Sequence, residues 1–90
     1  MEYRSIQVKK YIESVADVRE FYKDLIREGM MIHPEDTFDQ CTPEDNWGLS
    51  DAMINRLDSI LNDCHDMCEK HDVDICEIAL EELNKSAKKT

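Results

Sequence analysis

The chain has 90 residues, a formal net charge of −10, and only two glycines and two prolines. This length allows one domain, and so few turn-forming residues favour long helices over a turn-rich β fold. The chain lacks a run of about 18 apolar residues, and residues 1–10 lack the apolar stretch of a signal peptide, so we expect a cytoplasmic protein that does not span a membrane.

Acidic residues are concentrated in the middle of the chain. Residues 1–29 carry six basic and six acidic side chains, whereas residues 30–84 carry fifteen acids against Arg56 and Lys70 alone. Such a surface repels phosphate backbones, so we expect no direct contact with nucleic acid. Two interpretations stay open, namely a solvated face that keeps the protein soluble and a docking surface for a basic protein.

The first two segments differ in how clearly they are patterned. Apolar side chains in residues 1–13 tend to alternate, but a lone strand has nothing to pair with in a helical chain, so we expect a short helix or an extended arm. In residues 14–29 the apolar side chains follow one helical stripe. Ser14 and Asp17 form the pattern of a capping box, and Gly29 marks the C-terminal end, so we predict a helix over 15–28.

Residues 30–49, called here the crossing segment, are too long for a simple connection in a compact domain. Pro34 and Pro43 each look like the first residue of a single helical turn, and Thr42 with Asp45 has the pattern of a capping box for the second turn. We expect the crossing segment to pack across the helices through its large apolar side chains, which are Met30, Ile32, Phe38 and Trp47.

Two further helices are predicted, over residues 50–71 and 74–87. Ser50 is the predicted N-cap of the first, and Asp74 is that of the second. The inward stripe of the first helix is expected to be Met53, Leu57, Ile60, Leu61, Cys64, Met67, Cys68 and His71. The inward stripe of the second is expected to be Ile75, Ala79, Leu80 and Leu83.

The cysteines have two alternative roles. Without a signal peptide we expect free thiols in a reducing compartment. Three cysteines and a histidine could hold tetrahedral Zn²⁺, because they recur at helical spacing and across one tight turn: Cys64, Cys68, His71 and Cys76. The same stripe continues the predicted core face and its spacing matches no zinc-finger pattern. We therefore favour buried cysteines that act as small hydrophobic residues, with no cofactor.

Catalytic chemistry has one candidate, a Cys41 thiol with His33 as base and Glu35 or Asp36 as orienting group. The surrounding negative charge raises the pKa of such a thiol and disfavours the reactive thiolate. Residues 35–45 lack the alternating carboxylates and central glycine of a calcium loop, and two glycines cannot build a phosphate-binding loop. We therefore expect a protein that is not an enzyme.

From Phe21 onward the chain contains several short motifs that resemble those of a known group of proteins. They are Phe21-Tyr22, Leu25-Ile26, Glu28-Gly29, His33-Pro34-Glu35-Asp36 with Phe38, Asn55-Arg56-Leu57, and Asp74-Ile75 with Glu77-Ile78. On these motifs the chain resembles a loose group of short bacterial helical proteins with no assigned activity. The resemblance implies a bacterial origin, and it implies no ligand and no site residue.

The predicted fold is an all-α bundle of three main helices with a long, partly helical crossing segment, in one domain of residues 1–90. Its core is expected to centre on Val18, Tyr22, Leu25, Leu57, Leu61, Leu80 and Leu83. A chain this short gains core by association, so a homodimeric structural subunit is one alternative.

The predicted function is a regulatory or protein-binding module that docks a basic partner. Its docking residues are expected to be acids on the outward faces of the last two helices: Asp51, Asp58, Asp66, Glu69, Glu77 and Glu81. An alternative docking site in the crossing segment would use His33, Phe38 and Trp47. A small zinc protein that uses the cysteine cluster is the competing function.

Overall fold

A computed structural model describes residues 3–41, 44 and 46–87 of the chain. Three α-helices lie in this part, and they are α1 (Val15–Arg27), α2 (Asp51–Lys70) and α3 (Ile75–Ala87). The described residues contain no strand, so the predicted all-α fold is confirmed. None of the helices in these ranges is long and apolar enough to cross a membrane.

Both ends of α1 are fixed by the residues that the sequence indicated. The Ser14 hydroxyl accepts the backbone N–H of Asp17 at 3.3 Å, which satisfies a donor of the first turn. Gly29 has a positive φ of 74°, and Met30 donates its N–H to the Leu25 carbonyl at 2.8 Å. This Schellman turn directs the crossing segment back over the bundle, where Met30 is buried.

Residues 3–13 form an extended arm without helical structure, so the short-helix alternative is wrong. Ile6 and Val8 are buried, and the residues between and beside them are exposed, as the alternating pattern indicated. The Arg4 N–H donates to the Gly48 carbonyl at 2.6 Å, and the Lys9 N–H donates to the Asp24 carboxylate at 2.8 Å. The arm is therefore held by its side chains and by a few isolated hydrogen bonds.

The core has the composition that was predicted for α1 and α2 but not for α3. Five of the predicted residues are buried, namely Val18, Tyr22, Leu25, Leu57 and Leu61. The predictions for Leu80 and Leu83 are wrong, because these side chains are 58% and 44% exposed. The residues of α3 that face the core are Ile75, Ile78, Ala79 and Glu82. α3 has more apolar positions than its inward face holds, so the apolar periodicity alone predicts the wrong side of the helix as buried.

Glu82 is an acidic residue in the buried face of α3, with only 2% of its surface exposed. Its Oε2 accepts hydrogen bonds from Arg19 Nη1 at 3.3 Å and from Lys85 Nζ at 3.1 Å. Arg19 also donates to Glu81 at 2.7 Å, and this hydrogen bond raises the pKa of the guanidinium. Two carboxylates of α3 thus share one arginine of α1, and Lys85 supplies the second positive charge.

Tyr22 gives a direct test of the core, because its buried hydroxyl has no hydrogen-bond partner among the described residues. Burial also raises the pKa of this phenol. Tyr22→Phe keeps the ring and removes the unsatisfied group, so we expect the free energy of unfolding to stay unchanged or to rise by up to about 1 kcal/mol. Thermal unfolding followed by circular dichroism measures this change. A loss of more than about 1 kcal/mol would show that the hydroxyl has a stabilising partner.

Candidate docking surface

The crossing segment is attached to α2 by two polar side chains. The Asp58 carboxylate accepts the backbone N–H of Phe38 at 2.6 Å and that of Asp39 at 3.2 Å. His65 Nε2 lies 2.7 Å from the Pro34 carbonyl oxygen, so this ring nitrogen donates the hydrogen bond. The prediction that Asp58 points outward to a partner is therefore wrong, because its carboxylate holds a turn of the crossing segment.

The aromatic residues that formed the alternative docking site belong mainly to the core. Phe38 is fully buried and Trp47 is half-buried, and the two rings meet edge to face with their centroids 6.0 Å apart. Trp47 lies in a 3₁₀ turn, Asn46–Gly48, with a positive φ of 55°. Phe38 is thus unavailable to a partner, and of the three predicted residues only His33 is exposed.

The two helical turns predicted in the crossing segment have different outcomes. Pro34 begins a turn that is not helical, and the Asp36 N–H donates to the His33 carbonyl at 2.9 Å within it. The turn predicted at Pro43 lies outside the described residues, as do its capping residues 42 and 45.

An apolar groove lies between the crossing segment and α3. Residues 31–34 form one wall, and Cys76, Ala79, Leu80 and Leu83 form the other, around a volume of about 420 Å³. The two leucines expose large parts of their side chains into it, whereas Ala79 is buried and Cys76 is half-buried. The α3 wall thus combines two small side chains with two exposed leucines.

An acidic depression lies beside this groove, and the two share Pro34 as a lining residue. The depression has a volume of about 480 Å³, and its lining includes four carboxylates, which are those of Glu35, Asp36, Asp39 and Asp58. Its remaining lining residues include His65 but no lysine or arginine. The groove and the depression together place an apolar surface next to a strongly negative one.

Ion pairs neutralise the acids of only one part of the described chain. Each of them involves a residue of 4–28 or 81–85, for example Arg27 with Asp24 at 3.1 Å. Glu81 belongs to this group through Arg19, so it is less suited to a partner than predicted. Asp66, Glu69 and Glu77 are exposed and form no ion pair within the described ranges. Asp51 is exposed in the first turn of α2.

The cysteines are free and do not form a cluster with His71. Cys64 and Cys68 are buried in the core, whereas His71 is the exposed C-cap of α2. Over residues 3–41, 44 and 46–87, no three histidine, cysteine or acidic side chains are grouped as metal ligands. Burial raises the pKa of Cys64 to about 12. The pKa of Cys41 is also raised, mainly by burial and to a smaller extent by the negative charge of Asp36. These thiols are therefore protonated at neutral pH.

Two features that differ from the predictions, the orientation of α3 and the contact of Asp58, have unequal signals in the sequence. α3 has more apolar residues than one helix face can hold, which indicates that some of them are exposed. Ile78 and Glu82 have the i, i+4 spacing of residues on the same face. Nothing in the sequence connects Asp58 with residues 38 and 39, which lie about twenty positions away. Comparisons of the chain with protein families, with curated proteins and with solved structures found no match.

Proposed function

We propose that the chain is a non-enzymatic protein-binding module that docks a basic partner in the cytoplasm. One observation carries the proposal: acids such as Asp66, Glu69 and Glu77 form no ion pair in the described part of the chain, whereas the acids of α1 form them. Unbalanced charge on one region attracts a surface of opposite sign and speeds its association.

A surface that serves solubility alone commonly mixes both signs through i, i+3 and i, i+4 pairs. α1 has this pattern, with Lys23 beside Glu20 and Arg27 beside Asp24. In α2 the one pair with this spacing, Asp66 and Lys70, forms no ion pair among the described residues, although both helices meet the same solvent. This contrast within one molecule supports docking over solvation. The free thiols are compatible with a reducing compartment.

The test is affinity capture from a bacterial lysate with two baits, the natural chain and the Asp66→Lys/Glu69→Lys variant. Both residues are exposed, so the variant should keep its stability within about 0.5 kcal/mol. Asp58 is left unchanged, because its reversal would release the crossing segment.

We expect the natural chain to retain basic proteins that the reversed bait loses and that salt elutes. For a purified partner, the association rate at low ionic strength should fall about tenfold or more with the variant. Glu13→Lys/Glu20→Lys is the matched control for total charge, since it reverses two exposed acids in the balanced part of the chain. If the two reversals slow association equally, or neither does, the proposed function is wrong.

A further inference from the structure

The apolar side chains of α3 cover more of the helix than its neighbours bury. From Ile78 through Ala79 to Leu80 they span roughly 200° of the circumference, at about 100° per residue. α1 and α2 cover the part around Ile75 and Ile78, while Leu80 and Leu83 remain exposed. Single exposed leucines are ordinary, but these two stand one turn apart in a groove that is apolar on both walls.

The groove has the length of a helix contact. Cys76, Ala79, Leu80 and Leu83 follow one another along two turns of α3, which is about 10 Å at 1.5 Å per residue. Apolar residues at i, i+3 and i+4 of a second helix repeat at the same interval, so they match this line of positions. The small side chains of Cys76 and Ala79 leave room for larger ones from that helix.

Acidic residues border the groove. Glu35 follows Pro34 directly at one wall, and Glu77 precedes Leu80 by three residues on α3; both are exposed and form no ion pair in the described ranges. The acidic depression begins on the far side of Pro34. A ligand that fills the groove therefore passes carboxylates at its edges.

From this juxtaposition we infer that the groove binds a short amphipathic helix of a partner protein, with apolar residues at i, i+3 and i+4 and with lysine or arginine beside them. The inference rests on the proposed function and adds where the basic partner docks and in what form. Its apolar residues contact Leu80 and Leu83, and its basic residues lie against Glu35, Glu77 and the acidic depression.

A second copy of this chain fits the groove less well. In a symmetric dimer the same patch meets itself, so Glu35 and Glu77 of one copy would approach those of the other. Like charges at an interface are unfavourable, and this chain has a net charge of −10. Charge complementarity therefore selects a basic partner.

The experiment uses a displayed library of 18-residue helical peptides, randomised between apolar, basic, acidic and neutral residues. The full chain is the target, and two variants are compared with it: Leu80→Gln/Leu83→Gln in the groove and Asp66→Lys/Glu69→Lys on α2. Circular dichroism checks that each variant keeps the helix content of the natural chain. Methyl chemical shifts of the natural chain, on peptide addition, report the contact without any substitution.

We expect enriched peptides to combine apolar residues at i, i+3 and i+4 with flanking lysine or arginine. Their affinity should fall about tenfold or more with the groove variant, and the methyl shifts should change at Met31, Ile32, Leu80 and Leu83.

Three results would overturn the inference. If enriched basic peptides lose affinity only with the α2 variant, docking through the acidic surface stands and the groove assignment fails. If no basic peptide is enriched over the unselected library, the inference and the proposed function both fail. If sedimentation shows a dimer that the groove variant dissociates, a second copy occupies the groove instead.

Discussion

Leu57→Ala should lower the free energy of unfolding by about 2–5 kcal/mol, because it removes a fully buried side chain and leaves a cavity. A domain of this size has a total stability of only about 5 kcal/mol, so the variant should be largely unfolded or close to it. Leu57 lies in the middle of α2 and belongs to a buried core cluster that includes residues of all three helices and the crossing segment. Urea unfolding followed by circular dichroism measures the loss.

Leu80→Ala is the matched control for this prediction. It removes the same atoms from the middle of a helix, but at a position that is 58% exposed. We expect a loss below about 0.5 kcal/mol, since little buried surface is lost and alanine favours helices. Similar losses at Leu57 and Leu80 would show that α3 turns its leucines inward.

Asp58→Ala should lower the free energy of unfolding by about 1–3 kcal/mol, because two backbone N–H groups lose their charged acceptor. The donors belong to Phe38 and Asp39, so the change should loosen the crossing segment where Phe38 enters the core. Trp47 is the single tryptophan and packs against Phe38, so its fluorescence should shift to longer wavelength in the variant.

Asp66→Ala controls for the loss of one negative charge from α2. Its side chain is exposed and forms no hydrogen bond within the described residues. Removing it relieves repulsion in an acidic region, so stability should stay within about 0.5 kcal/mol and the fluorescence should not change. If Asp58→Ala and Asp66→Ala behave alike, the Asp58 hydrogen bonds do not hold the crossing segment.

α1 and α2 could be predicted from the sequence because each has a single apolar stripe and a local cap. The Ser14 and Ser50 hydroxyls each accept a hydrogen bond from the backbone N–H three residues further along the chain. The signals for both helix starts therefore lie within one turn. Helix type and bounds followed from such local patterns, and so did most of the core of these two helices.

The parts that could not be predicted depend on residues far apart in the chain. Glu82 is buried because Arg19, 63 positions earlier, donates to its carboxylate. Asp58 is withdrawn from the outer surface by N–H groups of the crossing segment, which no periodicity places beside it. The orientation of α3 was missed for the same reason, since its many apolar residues allow several rotations and its packing against α1 decides among them.

The arm of residues 3–13 has a further consequence for how the molecule opens. Arg4 to Gly48 is its sole backbone-to-backbone hydrogen bond in the part of the chain that the structure describes. The arm thus buries Ile6 and Val8 without the repeated amide protection that a helix provides. Local opening costs little where few backbone hydrogen bonds must break. We therefore expect the arm to open while the three helices keep their internal hydrogen bonds, and its release uncovers apolar core.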